Sequence, residues 1–250
     1  MFANVFITGA SSGLGRGLAL HFARAGSTVH AAARRADELA RLAAEAPAGK
    51  IVPVALDVTD PEALERAIRA AEAASGGALD LVIANAGFSA KTSGRKIDWR
   101  TVKDLLDVNV TAACVTLSLA LPAMVARGSG TVVAMASMAG FVAPPATGTY
   151  AASKAALQKF IDGLRLDLAG TGVKAIVVNP GFVKTPLTAG ARHWMPFLME
   201  LEDAVRAIAA GVERGKPVVS LPLPMHLLVR FTAALPRVIR DPVLRLTQKR

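Results

Sequence analysis

The chain has 250 residues, 52% of them apolar and 19% charged, a size that buries roughly 70% of its surface on folding without disulfide or metal staples. That composition excludes a disordered tail protein, and a single cysteine, Cys114, excludes a disulfide framework or a cysteine-based zinc site and fits a reducing, cytoplasmic setting. The excess of 29 Lys and Arg over 19 Asp and Glu (+10) attracts phosphates, but no basic run is interleaved with aromatics, so nucleic acid is not an expected partner.

Met1-Phe2-Ala3-Asn4 lacks the basic region of a secretory signal and leads straight into the first of seven strand-length apolar runs. These runs are Val5–Thr8, Thr28–Ala33, Ile51–Leu56, Leu81–Asn85, Thr131–Ser137, Val173–Asn179 and Pro217–Leu221. They are near-continuous rather than alternating, as strands covered on both faces are. Helix-period segments lie between them. Asp60-Pro61-Glu62 opens one with an N-cap, a proline at the first helical position and an acid in the first turn. The longest apolar stretch, Val110 to Ala126, falls short of the roughly 18–20 residues of a membrane span and reads as a buried helix. The alternation predicts an α/β fold, a Rossmann-like doubly wound parallel seven-stranded sheet with helices on both faces, in one domain over 1–250.

Between the first strand and the helical run Arg16–Ala25 lies Thr8-Gly9-Ala10-Ser11-Ser12-Gly13-Leu14-Gly15. Glycines there let the backbone turn tightly and approach a pyrophosphate, which the following helix N-terminus attracts. After the second strand, where NAD-binding chains carry an acid for the ribose hydroxyls, the segment reads Ala33-Arg34-Arg35. Two guanidiniums in that place favour NADP(H) over NAD(H), with Arg34 preferred of the pair.

Tyr150 is the only tyrosine, and Lys154 follows at helical spacing on the same face, with Leu157, Ile161, Leu164 and Leu168 continuing the stripe. An ammonium beside a phenol lowers the phenol pKa toward neutrality, as an acid/base catalyst requires. Ser137, at a strand's C-terminal end, lies on the side where open α/β sheets bind ligands. The four histidines, His21, His30, His193 and His226, lack metal-ligand spacing, so no metal is expected.

The chain resembles the short-chain dehydrogenase/reductase family. Thr8–Gly15 matches its TGxxxGxG loop, Asn85-Ala86-Gly87 its NAG motif, Asp57-Val58 its adenine-side pair, and Pro180-Gly181 with Val183 and Thr185 its segment after the sixth strand. Asn109, Ser137, Tyr150 and Lys154 match its catalytic tetrad. The resemblance covers about residues 3–221. It implies that Tyr150 exchanges a proton with the substrate oxygen, Lys154 lowers the Tyr150 pKa and holds the nicotinamide ribose, Ser137 orients the substrate oxygen, and Asn109 anchors a relay water. Asn85 and Gly87 would then face the cofactor ribose, and Thr185 the nicotinamide or phosphate side. The implied activity interconverts a carbonyl and a secondary alcohol; a NAD-dependent hydroxysteroid or hydroxyacyl dehydrogenase and a non-catalytic cofactor sensor are the alternatives.

The segments Ala139–Pro145 and Phe182–Leu198 and the C-terminal tail flank the tetrad and are mostly apolar, which predicts a lipophilic substrate contacting Ser137, Phe141, Tyr150 and Trp194. The family also implies a homodimer or homotetramer through helices near Val102–Val125 and Tyr150–Ala169. Residues 222–250 hold six basic residues, one acid and many apolar ones. Such a tail can lie on an anionic membrane, but Pro222, Pro224, Pro236 and Pro242 are expected to chop it into short pieces, favouring packing over the cleft or a neighbouring subunit.

Overall fold

Apolar strands without alternation need cover on both faces, and the computed structural model, which describes residues 2–189 and 194–246, supplies it. The strands are β1 (Asn4–Thr8), β2 (Thr28–Ala33), β3 (Ile51–Ala55), β4 (Leu81–Ala84), β5 (Gly130–Met135), β6 (Val173–Pro180) and β7 (Val218–Leu221). All are parallel, in the order β3-β2-β1-β4-β5-β6-β7, and no end departs from the expected position by more than two residues.

On one face pack α1 (Gly13–Arg24), α2 (Ala36–Glu45) and α7 (Leu201–Glu213), and on the other α3 (Pro61–Ala74), α5 (Ala112–Arg127) and α6 (Gly148–Asp167). Successive strand residues divide between the two layers: Val5 and Ile7 join the first and Phe6 the second. Asp60 caps α3 by accepting from the Ala63 amide at 2.9 Å, as its Asp-Pro-Glu opening predicts. α4 (Trp99–Leu106) runs through a π-turn, Asp107–Thr111, into α5. The whole helical run Trp99–Arg127 is long and apolar enough to cross a membrane by length and composition. In the fold it lies on the sheet instead, with Leu105, Ala112, Ala113, Leu117, Ala120 and Met124 buried.

The chain builds β2 and β3 to one side of β1 and then places β4 on the other side. The loops after β1 and β4 therefore part in opposite directions and leave a crevice at the strands' C-terminal ends. The tail, as far as it is described, forms two helices, α8 (Leu223–Ala234) and α9 (Arg237–Leu246), rather than short pieces. Pro222 and Pro224 sit at the start of α8, where a missing amide costs nothing, Pro236 lies between the helices, and α9 continues through Pro242.

Candidate active site

The crevice is a cleft of about 920 Å³ lined by Gly9, Ser11, Ser12, Gly13, Leu14, Arg34, Arg35, Asp57, Val58, Asn85, Ala86, Gly87 and Thr185, all expected from the sequence, and by Ala33, Leu56, Thr59 and Phe88, which were not. Its floor is cross-tied. The Thr8 hydroxyl accepts from the Asn85 and Ala86 amides at 3.0 and 3.1 Å, and the Asn85 side-chain amide donates to the Thr8 and Gly9 carbonyls at 3.0 and 3.2 Å. A Cβ on Gly15 would fall 2.3 Å from Asn85 Nδ2 and 2.4 Å from the Gly9 carbonyl oxygen, so only glycine lets the loop close this tightly. Gly15 itself is buried behind the cleft rather than lining it. At the start of α1, Ser12 makes no side-chain cap and the first turn carries no acid, leaving the helix's positive end open to an anion.

Arg34 and Arg35 are both exposed at the rim. The Arg35 guanidinium donates to Ser11 Oγ at 2.9 Å, bridging the β2 end to the glycine loop, while Arg34 stands 3.8 Å from the Asp57 carboxylate. The Asp57 pKa is held below its ordinary value, first by the Thr59 backbone amide, with the Thr59 hydroxyl and Arg34 adding to it.

A second cavity, of about 100 Å³, shares Leu14, Asn85, Gly87, Phe88, Thr185 and Leu187 with the first and is otherwise lined by Met135, Ala136, Ser137, Tyr150, Lys154, Pro180, Gly181, Val183 and Thr188. Three of the four tetrad residues thus face one small space that opens onto the cleft. Tyr150 and Lys154 lie on α6 one turn apart, and Ser137 ends the segment after β5. Lys154 is 5% exposed; its ammonium donates to the Met135 carbonyl at 2.7 Å and lies 5.8 Å from the Tyr150 ring centroid. Burial pulls the Lys154 pKa down to about 8.

Tyr150 departs from expectation. Its pKa is raised, not lowered: burial of the phenol outweighs the hydrogen bond it shares with the Ser137 hydroxyl. Lys154 does not reverse this, because its ammonium is committed to the Met135 carbonyl and is itself poorly solvated.

Asn109 is fully buried by the π-turn and lies behind the cavity rather than in it. Its side chain clamps one residue twice, Oδ1 accepting from the Phe88 amide and Nδ2 donating to the Phe88 carbonyl, both at 2.9 Å, with a further 3.2 Å bond to Ser153 Oγ. A Cβ on Gly87 would lie 3.0 Å from Asn109 Oδ1, a tight contact, and 3.5 Å from Lys154 Nζ, so Gly87 sits directly against both groups.

Two expected substrate residues do not line either cavity. Phe141 packs under the tail, edge-on to His226 at 5.7 Å and beneath the Arg230 guanidinium at 5.4 Å, because α8 folds back over the turn that follows Ser137. Trp194 is exposed, and His193 lies outside the described residues. What the sequence did not reveal is Gln158, one turn beyond Lys154. Its amide donates to the Ser137 carbonyl at 3.1 Å and to Asn179 Oδ1 at 2.8 Å, and Asn179 in turn donates to Ser220 Oγ at 3.3 Å. A glutamine on the otherwise apolar stripe of Leu157 and Ile161 was the available signal.

A doubly wound parallel sheet with a glycine loop at its switch point and a Ser-Tyr-Lys group beside it defines a dinucleotide-binding oxidoreductase class. Comparison with known proteins sharpens this. Residues 3–196 match the model of the short chain dehydrogenase family. An oxidoreductase of unassigned substrate from Myxococcus xanthus is 46% identical over 242 residues, 96% of this chain and 95% of that one. Another from Mycobacterium tuberculosis is 35% identical over 240 residues, 93% of each. Among solved structures, a short chain dehydrogenase from Burkholderia cenocepacia in complex with NADP aligns with a TM-score of 0.83 at 27% identity, covering 97% of each chain. One from Sphingobium yanoikuyae in complex with NADPH gives 0.81 at 28% identity, over 97% of this chain and 95% of that one. The chain belongs to the short-chain dehydrogenase/reductase family and is an oxidoreductase of the kind that binds nicotinamide cofactors and acts on small molecules.

Proposed function

We propose that the protein is an NADP(H)-dependent oxidoreductase that interconverts a carbonyl and a secondary alcohol on a lipophilic substrate, with Tyr150 as the acid/base. The observation that carries this is the meeting of Ser137, Tyr150 and Lys154 in a small cavity continuous with a cleft whose far rim bears Arg34 and Arg35. The open α1 N-terminus and the glycine loop suit a pyrophosphate, and the two arginines, with no carboxylate at the same position, suit a 2′-phosphate. When bound, the cofactor supplies the hydride chemistry.

The chain's own residues handle the proton and the developing charge. Burial keeps the Tyr150 phenol protonated near neutrality, the form that donates to a carbonyl oxygen during reduction. Ser137, hydrogen-bonded to Tyr150, is placed to donate to the same oxygen and to stabilise its charge. Lys154, with its pKa near 8, is mostly cationic at neutral pH and provides positive potential beside both hydroxyls. Met135, Ala136, Phe88, Val183 and Leu187 around the cavity favour an apolar substrate body.

The test is NADPH consumption by the purified protein across carbonyls from small and polar to long-chain and polycyclic, with Tyr150→Phe alongside. Turnover on the larger apolar carbonyls, abolished in Tyr150→Phe while NADPH still binds, is expected. Arg34→Ala should weaken NADPH about 10- to 100-fold, the value of one charged hydrogen bond, and leave NADH unchanged. Silence across the panel with NADPH bound refutes the catalytic assignment; preference for short polar carbonyls refutes the lipophilic one.

A further inference from the structure

The helices of the tail carry their apolar residues outward. In α9 no residue is buried: Val238, Ile239, Val243 and Leu246 share one side, and Val238 is 81% exposed. The opposite side holds Arg237, Arg240, Asp241 and Arg245 together with Leu244, and Arg240 and Leu244 are half-buried, so the helix is amphipathic with its apolar side outward. In α8 only Val229 is buried, while Leu223, Leu227 and Phe231, one turn apart, form an exposed ridge, each at least 60% exposed. Among the described residues nothing covers either ridge. A soluble domain leaves single apolar side chains exposed, but not two consecutive helices of them.

Charge identifies what covers them. Together α8 and α9 carry four arginines, Arg230, Arg237, Arg240 and Arg245, against one acid, Asp241, which pairs with Arg240 at 3.4 Å. A second copy of the chain would bring the same arginines and no surplus acid to pair with them. Anionic headgroups would neutralise them. Apolar side chains for the acyl boundary and arginines for the headgroups are the pattern of a helix lying in a membrane interface. Nor do the prolines oppose this, since both helices form despite them.

We propose that the α8–α9 segment docks the protein on an anionic lipid bilayer, with Leu223, Leu227, Phe231, Val238, Val243 and Leu246 entering the interface. The position of α8 bears on the site. Met225 Cγ lies 3.3 Å from where a Cβ on Gly181 would stand, and Gly181 lines the catalytic cavity. Met225 is on the side of α8 opposite Leu223 and Leu227, so α8 walls the cavity with one side and offers its apolar ridge with the other. Docking itself does not depend on the substrate or the cofactor assigned above.

Flotation of the full-length protein tests this, using phosphatidylcholine vesicles with and without about a third phosphatidylserine. Val238→Glu/Val243→Glu provides the comparison, with NADPH binding and circular dichroism showing that the variant is folded. The expected result is recovery with the anionic vesicles only, weakened by high salt and reduced at least about 10-fold in the double variant. Equal recovery in the soluble fraction with both vesicle types overturns the proposal, as does equal flotation with neutral vesicles or an unaffected double variant. Absence of flotation together with an oligomer that the double variant dissociates assigns the face to a second copy and overturns it too.

Discussion

Replacing Gln158 by leucine tests whether the site is held from behind. Leucine keeps the bulk of the side chain but removes the amide that donates to the Ser137 carbonyl at 3.1 Å and to Asn179 Oδ1 at 2.8 Å. Gln158 is 9% exposed and Asn179 1%, so water does not replace the lost donor freely, and the Asn179 amide is already turned to Ser220. The Ser137 carbonyl keeps the Gly140 amide at 3.0 Å, but buried Asn179 Oδ1 is left without a donor, which costs about 1–3 kcal/mol against the 5–15 kcal/mol of a typical domain. Urea unfolding of the cofactor-free protein, followed by circular dichroism, measures the loss. Asn179→Leu and the double variant complete a cycle. Removing Asn179 eliminates the orphaned acceptor, so the double variant should lose about 1–2 kcal/mol less than the sum of the singles. Because Ser137 is released from α6, kcat should also fall, while NADPH affinity, set in the other cavity, should hold. A Gln158→Leu protein within about 0.5 kcal/mol of the parent, with additive singles, would refute the idea that this network holds Ser137.

Three further outcomes are expected. The Lys154 pKa lies near 8 in the folded protein against 10.5 ordinarily, so between these values the unfolded chain holds the proton and the folded one does not; stability relative to Lys154→Met should rise by about 2 kcal/mol from pH 7 to 9.5. Denaturation at both pH values measures it, and a gap that does not change with pH contradicts the buried placement of the ammonium. Gly15→Ala should separate Asn85 from the Gly9 carbonyl and weaken NADPH binding at least about 10-fold, with a stability loss of roughly 1–3 kcal/mol, read by cofactor fluorescence and melting; unchanged affinity would show that the loop has slack. Asp60→Ala should cost about 1 kcal/mol through loss of the α3 cap and leave cofactor affinity alone, which the same two measurements check.

The strands were legible because a parallel strand buried on both faces must be an apolar run, and turn residues bound each of the seven. Tyr150 and Lys154 were legible because helical spacing alone puts them on one face, and Arg34 and Arg35 because they directly follow β2. The Gln158–Asn179–Ser220 chain was not, since it joins α6, β6 and β7, whose register no local pattern states. The Tyr150 pKa went astray for a related reason: spacing puts a lysine near the phenol, but burial and the Met135 carbonyl decide what that lysine does. Phe141 belongs to an apolar segment flanking the tetrad, and the return of α8, which no local pattern states, gives it His226 and Arg230 as neighbours.

The Asn109 clamp has an implication for how such a site is diversified. By exchanging both amide bonds with Phe88, one side chain does for the β4–α4 connection what a neighbouring strand would do. A second staple follows four residues on, where the Thr92 amide donates to the Ala146 carbonyl at 2.9 Å. Gly87 and the segment ahead of Tyr150 are thereby insulated from whatever comes after. From Gly94 to Asp98 the connection is exposed, so its length and chemistry can be rewritten at small entropic cost without moving the groups behind the staples. That stretch is the natural place to insert or exchange sequence in this scaffold while keeping its chemistry.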